Sequence, residues 1–368
     1  MKKFFAAFAA FLLVFSMFIK VPQVFSQDKD SKLRIGYVES EEFIYYPYQL
    51  LYTFAGLQRL DVMKMGVEID PKASNSQEIW NSVCDHYQSD RIELVKKFYF
   101  NMKDMDKKDY SKFINSEDVD LVIVMGTVAG KYFTDYETKN KFMVFAAADP
   151  VASGMTKTET ERYKDNSFAH IDKARFDRQI RACYKMIKFK KIGVVYQDTP
   201  EAYVYSAIEP LRNAAKELNF EIIEEHVDEA KDDADYKRYY SDLKKAYKSL
   251  AKKGIDTLYI TTATIQDEKL LELLEPDIYK NNIYTIAQSN ERQVELGAML
   301  GVTILDTFEQ GYFGAEQIKA YLDGTPFNQL EQVNDGTPKM YINYDIAKRV
   351  GFKVTLSELL IMDAIYKL

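Results

Sequence analysis

The sequence predicts an α/β protein of two doubly wound, Rossmann-like lobes, and three observations support that fold class. Its 368 residues exceed what a single hydrophobic core usually supports. Short apolar runs rich in β-branched and aromatic residues alternate with segments of helical periodicity, which is typical of parallel βαβ units. This alternation occurs twice, on either side of a charged stretch at 157–165. A hinge of several chain crossings would join the two lobes.

The first series of elements begins at Leu33. Its strand candidates are bounded by polar residues or glycine and lie at 33–38, 92–98, 121–125 and 142–147. Helix candidates lie between them, at about 48–60, 77–87 and 110–115. One lobe would accommodate this series.

The second series follows the charged stretch. Its strand candidates are 191–196, 220–226, 255–262 and 282–287. Apolar residues share one helical face over 204–218 and another over 236–250. Gly254 signals the end of the latter helix, and Pro210 should kink the former or split off its first turn.

The tail adds too few elements to bury a core of its own, so they must join the existing lobes. They are a strand at 299–305, a helix at 312–322 closed by Gly324, a strand at 339–342 and a helix at 344–350 closed by Gly351. We therefore expect lobe 1 at 32–148 plus about 299–326, and lobe 2 at 149–298 plus about 327–368.

The first 26 residues read as a secretory signal peptide. Lys2 and Lys3 precede the run 4–19, which is apolar apart from Ser16, and a sharply polar stretch begins at Gln27. The alternative is an uncleaved anchor helix, although the run falls slightly short of the ~20 residues that span a bilayer. Cleavage would release a soluble protein into the periplasm or the medium.

Composition and missing motifs exclude several function classes. A net charge of −7 disfavours nucleic acid as a partner. The histidines are scattered and no cysteine pair has zinc-ligand spacing, so we expect no metal site and no cofactor. Hydrolase, P-loop and dinucleotide-binding motifs are absent, and no nucleophile stands with a recognisable base, so we expect no catalytic residues and no enzyme. Cys84 and Cys183 fall on opposite lobes, which favours two separate thiols over a disulfide. We expect a monomer.

Candidate ligand-binding residues lie where the predicted strands end, because ligands of doubly wound sheets meet the carboxyl ends of strands. Most carry hydroxyl or amide groups suited to a small polar ligand. Gly126 equally fits a tight turn, and Asp149 equally fits a brace for the hinge. Tyr45, Tyr46 and Tyr203 could stack on an apolar part of the ligand. The candidates are Ser40, Glu41, Gly126, Thr127, Asp149, Tyr196, Gln197, Tyr203, Thr262, Thr264, Ser289 and Asn290.

Four segments resemble a known family when taken in order. They are 145–154 with its Asp-Pro-x-x-x-Gly, 192–197, 257–262 and 342–351. The chain is similar over about 32–354 to ABC transporter substrate-binding proteins of the tryptophan- and tyrosine-binding type. That resemblance implies an extracytoplasmic, two-lobed protein of the periplasmic-binding-protein type I fold. Such a protein delivers a small solute, often an aromatic amino acid, to an ABC permease in the membrane.

Three departures from the family pattern concern the ligand. Gln197 stands for the usual Asn, Tyr203-Val204 stands roughly where Asn-Ser would grasp a carboxylate, and Ala263 replaces an Asp that can hold an ammonium group. The departures predict weak binding of free tryptophan and tyrosine, with a neutral or singly charged planar molecule favoured, unless Glu41 holds the ammonium. A ligand-sensing or partner-binding module of the same fold remains the alternative to uptake.

Overall fold

A computed structural model describes residues 31–43, 45–70, 74–172, 175–261, 265–266, 269–288, 291–303, 307–334 and 338–368, without the side chains of Thr303 and Thr307. The signal-peptide prediction at 1–26 lies outside them. The described strands are β1 (Leu33–Glu39), β2 (Lys64–Met65), β3 (Tyr87–Gln88), β4 (Ile92–Asn101), β5 (Leu121–Met125), β6 (Lys141–Phe145), β7 (Ser167–Ala169), β8 (Lys191–Tyr196), β9 (Glu221–His226), β10 (Thr257–Ile260), β11 (Tyr284–Ala287), β12 (Leu300–Thr303), β13 (Lys339–Asn343) and β14 (Ala364–Tyr366).

Most helices lie between consecutive strands, as βαβ units require. They are α1 (Tyr46–Arg59), α2 (Ser76–His86), α3 (Ser111–Ile114), α4 (Thr127–Asp135), α5 (Arg175–Ile187), α6 (Pro200–Tyr205), α7 (Ile208–Leu218), α8 (Tyr236–Lys252), α9 (Leu270–Leu274), α10 (Glu291–Glu295), α11 (Thr307–Leu322), α12 (Tyr344–Arg349) and α13 (Leu356–Leu359). No helix within the described residues is long and apolar enough to cross a membrane.

Lobe 1 is built on a five-stranded parallel sheet in the order β4-β1-β5-β6-β7. Strand β5 shows how the sheet is covered on both faces. Leu121 and Ile123 join a core with α1, α2 and α11, whereas Val122 and Val124 join a second core that includes Phe133 of α4. Since both faces are buried, the strand reads as a continuous apolar run rather than an alternating one.

Lobe 2 repeats this order in a seven-stranded sheet, β14-β13-β12-β11-β10-β8-β9. Strands β8 to β12 are parallel, and β13 runs antiparallel to β12. In each lobe the first strand lies between the second and the third, so the strand order reverses beside β1 and beside β8. The prediction of two doubly wound lobes is confirmed.

Two expected lobe assignments differ from the sheets. Strand β7 lies in the sheet of lobe 1, although the boundary was expected at 148. Strand β12 lies in the sheet of lobe 2, although 299–305 was expected in lobe 1. The reason for the second difference is the short crossover through α10, which leaves β12 beside β11.

The chain passes between the lobes after β7, after β12 and before β13. Two of these passages pair with each other: Ile171 donates its N–H to the carbonyl of Gln332 at 2.8 Å and accepts from the N–H of Asn334 at 2.9 Å. The passage at 304–306 lies outside the described residues. The prediction of a hinge with several crossings is therefore confirmed.

Helix α11 returns to lobe 1 and packs closely on α1. A Cβ added to Gly311 would lie 2.6 Å from Cβ of Tyr52 and 2.7 Å from its carbonyl carbon. A Cβ at Gly56 would lie 2.7 Å from Cβ of Ala315. Glycine at these two positions lets the helix backbones approach, which fixes α11 to lobe 1 even though β12 belongs to lobe 2.

Most other element bounds are met within a residue or two, but β4 continues three residues beyond 98 and α11 begins five residues before 312. The helix expected at 204–218 is divided at Ser206 and Ala207, and Pro210 falls in the first turn of α7, where its missing N–H costs nothing. Gly254, Gly324 and Gly351 all have positive φ directly beyond helices. Both cysteines are unpaired.

Candidate functional site

A cleft opens where the carboxyl ends of the two sheets meet, with about 830 Å³ of empty space that is partly open solvent. Its walls come from the loops after β1, β5, β6, β9 and β11, from the start of α5 and from the end of α6. This is the edge at which doubly wound sheets bind ligands. The lining residues are Ser40, Glu41, Phe43, Tyr45, Tyr46, Thr127, Val128, Ala146, Ala148, Arg175, Phe176, Tyr205, Glu229 and Gln288.

Lobe 1 forms its side of the cleft at the ends of β1 and β5, where the strand order of its sheet reverses. Ser40 follows β1, and its Oγ accepts the N–H of Ala129 in the first turn of α4 at 2.9 Å. Gly126 precedes α4 with φ 91° and ψ 167°, a conformation that residues other than glycine rarely adopt. A Cβ there would lie 2.0 Å from Oη of Tyr46 and 2.6 Å from Oγ of Ser40. The glycine thus leaves room for both hydroxyls beside the cleft.

Aromatic side chains supply much of the remaining surface. The ring of Phe43 meets those of Tyr45 and Tyr46 edge to face, each at a centroid distance of 5.3 Å. Phe176 and Tyr205 contribute two further rings, from α5 and α6. Such a surface favours a ligand with a planar or apolar part.

Two carboxyl groups line the cleft from opposite lobes. Glu41 of lobe 1 pairs with Lys103 at 3.1 Å, and Glu229 of lobe 2 accepts a hydrogen bond from the Tyr205 hydroxyl at 2.8 Å. Burial raises the pKa of Glu229, and the nearby charge of Glu41 raises it further. The hydroxyl of Tyr205 and the ammonium of Lys103 act in the opposite direction.

Arg175 begins α5 at the first passage between the lobes and brings a cation to the cleft. Its Nη2 donates to the carbonyl of Ala147 at 3.2 Å, and the guanidinium lies 4.5 Å from the centre of the Phe176 ring. Burial lowers the pKa of Arg175, while Asp172 and Asp149 raise it. The group stays charged, because the reference pKa of arginine lies far above neutrality.

Behind this wall, a buried carboxylate holds the end of β1. Glu39 is fully buried and accepts hydrogen bonds from Tyr37 at 2.7 Å, Tyr99 at 2.5 Å and Asn101 at 3.1 Å. Burial raises its pKa, and the tyrosine hydroxyls lower it. The network ties β1 to β4 immediately before Ser40 and Glu41.

The structure brings several predicted site residues together. Ser40, Glu41 and Thr127 line the cleft, and Gly126 shapes its wall. Asp149 does not line it, because its Oδ1 accepts from the N–H groups of Val151 at 3.0 Å and Ala152 at 2.9 Å. These bonds brace the turn that follows Asp149, and the role expected for it as a brace of the hinge stays a prediction. Thr262, Thr264, Ser289 and Asn290 lie outside the described residues, as does Ala263.

Three predicted residues lie elsewhere in lobe 2. Tyr196 and Gln197 line a smaller cavity at the end of β8, beside which the strand order of lobe 2 reverses. Glu229 lines both this cavity and the cleft. Tyr203 lies against Arg212, whose guanidinium is 5.3 Å from the ring centre. Tyr203 therefore does not contribute a ring to the cleft, because the short helix α6 turns it towards α7 and presents Tyr205 instead.

Sequence reasoning missed Arg175, Phe176, Tyr205, Glu229 and Gln288. Glu229 could have been found by the same rule as the other candidates, because it lies shortly after the end of β9. The residues after that strand are not among the candidates. Gln288 directly follows β11, one position before the predicted pair. Arg175 and Phe176 follow the passage out of β7, a strand that the sequence pattern did not reveal.

A sequence model of the family described as ABC transporter substrate binding protein matches residues 78–366. The chain belongs to this family. Comparison with curated proteins finds no match. The predicted family resemblance is thus confirmed.

Solved structures support the fold, which is that of the type I periplasmic binding proteins. A Streptococcus pneumoniae ABC domain in complex with L-Trp is 14% identical, with a TM-score of 0.66. A conserved domain protein from Vibrio cholerae is 16% identical with a TM-score of 0.62. A substrate binding protein with adhesive properties from Clostridium difficile, in a ligand-free open structure, is 20% identical with a TM-score of 0.62. Each comparison covers 91% of this chain and 100% of the other.

Proposed function

We propose that the protein is the solute-binding component of an ABC-type uptake system and that its two lobes close over a small, partly aromatic or apolar ligand. The cleft carries this proposal, because its polar groups and rings come from both lobes and the passages between the lobes can act as hinges. Binding would require no covalent chemistry. The partner would be an ABC permease, reached by a monomeric binding protein.

Export would place the protein outside the cytoplasm. Lys2, Lys3 and the apolar run 4–19 support cleavage near residue 26. Mass spectrometry of the exported protein should find a mature start near Gln27. Recovery of only the intact Met1 form, in membranes, would reject cleavage and favour an anchored protein.

The aromatic surface supports a ligand with a planar part, and an L-Trp complex is known for the similar Streptococcus pneumoniae domain. Ala263, where the family pattern has an Asp that can hold an ammonium group, favours a neutral or singly charged ligand over a free amino acid, because an unpaired buried charge costs several kcal/mol. Calorimetry with tryptophan and tyrosine should therefore show weak binding. Micromolar affinity for either would contradict this selectivity without contradicting solute binding.

A thermal-shift screen of the mature protein tests the binding role itself. The compounds are amino acids, nucleosides, sugars and small aromatic molecules. A ligand at one hundred times its dissociation constant should stabilise the protein by about 2.7 kcal/mol, which raises the melting temperature visibly. No stabilisation by any compound class would count against a solute-binding role.

A further inference from the structure

One polar atom beside the cleft lacks a hydrogen-bond partner. Nε of Arg175 is inaccessible to solvent, and no described group accepts a bond from it. Buried donors in proteins are almost always paired, so an unpaired one beside a binding cleft calls for an acceptor from elsewhere. The rest of the guanidinium is held in place by the carbonyl of Ala147 and the ring of Phe176. Arg175 is therefore a fixed cation on the cleft wall, and its Nε can meet an acceptor only when a neighbouring group moves.

The acidic groups that could satisfy this cation are engaged elsewhere. Glu41 pairs with Lys103. Glu229 accepts a hydrogen bond from the hydroxyl of Tyr205 at 2.8 Å. Of the two acids whose charges raise the pKa of Arg175, Asp149 caps a turn, and Oδ1 of Asp172 pairs with Arg178 at 2.5 Å. The cleft therefore keeps one cation for which the protein supplies no direct carboxylate contact among its described residues.

The first turn of α4 reinforces the positive side of the cleft. The carbonyl of Ala147 accepts from Arg175, and the next residue, Ala148, donates its N–H to Oγ1 of Thr127 at 3.0 Å. Arg175 and Thr127 are thereby tied to the same two-residue segment. The amino end of a helix carries partial positive charge, which favours an anionic group beside it.

We propose that the ligand is an aromatic carboxylate, whose carboxylate binds Arg175 and whose ring packs among Phe43, Tyr45 and Phe176. This inference rests on the proposed function and deepens it by naming the ligand's charge. Arginine is suited to the role because its guanidinium binds a carboxylate through two parallel hydrogen bonds. A cationic or neutral aromatic molecule would bring no negative charge to the guanidinium of Arg175, so it would lack the charge-assisted hydrogen bonds that a carboxylate makes.

Calorimetry with matched compounds tests the inference on the unmodified mature protein. The probes are phenylacetate and indoleacetate, each compared with its neutral amide and with the corresponding amine, phenethylamine or tryptamine. We expect at least one carboxylate to bind at least about tenfold more tightly than its amide and its amine. Equal or tighter binding of the amide or the amine would overturn the inference.

Variants of α5 identify the residue responsible. Arg175→Met should weaken binding of the carboxylate at least about tenfold and weaken binding of the amide less, so that the preference for the carboxylate over the amide shrinks. Arg181→Met is the matched control: it removes a cation from the same helix, but that cation pairs on the surface with Asp177 and Glu217. Undiminished carboxylate preference in Arg175→Met would overturn the assignment. If that variant does not fold, the comparison of carboxylate, amide and amine on the unmodified protein still tests whether the ligand is an aromatic carboxylate.

The binding experiments distinguish failure of this inference from failure of the proposed function. If neither carboxylate binds while another solute in the thermal-shift screen does, the protein is a solute-binding protein and the aromatic carboxylate is wrong. If no solute of any class binds, both proposals fail.

Discussion

Replacing Gly126 with alanine should destabilise the protein by about 3 kcal/mol. Part of this cost is conformational, since φ 91° with ψ 167° lies in a region that is essentially restricted to glycine and costs about 1–3 kcal/mol for other residues. The rest is steric, because the new Cβ would lie 2.0 Å from Oη of Tyr46. Tyr46 would have to leave its place in the cleft wall, and such overpacking costs about 1–3 kcal/mol.

A second glycine separates the two contributions. Gly254 has φ 73° and no atom within 4 Å of an added Cβ, so Gly254→Ala should cost only the conformational strain, about 1 kcal/mol. Urea denaturation of both variants measures the difference. In a Tyr46→Phe background, which removes the hydroxyl, the cost of Gly126→Ala should fall by about 1 kcal/mol or more. Equal costs for Gly126→Ala and Gly254→Ala, or no relief in the Tyr46→Phe background, would refute this account of the cleft wall.

Three further predictions concern titration and packing. Because the pKa of Glu229 is raised in the folded protein, its ionisation lowers the free energy of unfolding as pH rises above the ordinary carboxyl range. The melting temperature of Glu229→Gln minus that of the unmodified protein should therefore increase from pH 4 to 7. A difference in melting temperature that does not change with pH would contradict this prediction. Burial lowers the pKa of His170 to about 4, so stability should fall as pH drops from about 6.5 towards 4, and His170→Gln should lose that dependence in denaturation at several pH values. Gly311→Ala would press on the backbone of Tyr52 and should cost about 1–3 kcal/mol in urea denaturation; unchanged stability of this variant would contradict the close approach of α11 to α1.

The alternation of strands and helices was sufficient to predict two doubly wound lobes, because it depends on local periodicity. The lobe that receives a given strand depends on contacts far along the chain. Nothing in the apolar run of β12 distinguishes pairing with β11 from pairing in lobe 1. Strand β7 has only three residues, Ser167–Ala169, which is too short to show an alternating pattern. The passages between lobes therefore could not be located from sequence.

The candidate site could be predicted at the strand ends and less well elsewhere. Ser40 and Thr127 follow strands directly, so their position is set by the sheet. Tyr203 and Tyr205 lie two residues apart on α6, which places them on opposite faces, and the sequence does not say which face meets the cleft. Arg175 lines the cleft because the chain passes from lobe 1 to lobe 2 just before it. The sequence pattern does not locate that passage, so it could not identify Arg175 as a candidate.

Small-angle X-ray scattering tests the central claim, that the two lobes close over a solute held between them. The mature protein is measured alone and with a saturating amount of the compound that stabilises it most in the thermal-shift screen. The account predicts that the radius of gyration decreases when the compound is added and recovers when dialysis removes it. An unchanged radius of gyration at saturation, with binding verified by calorimetry on the same sample, would contradict closure between the lobes.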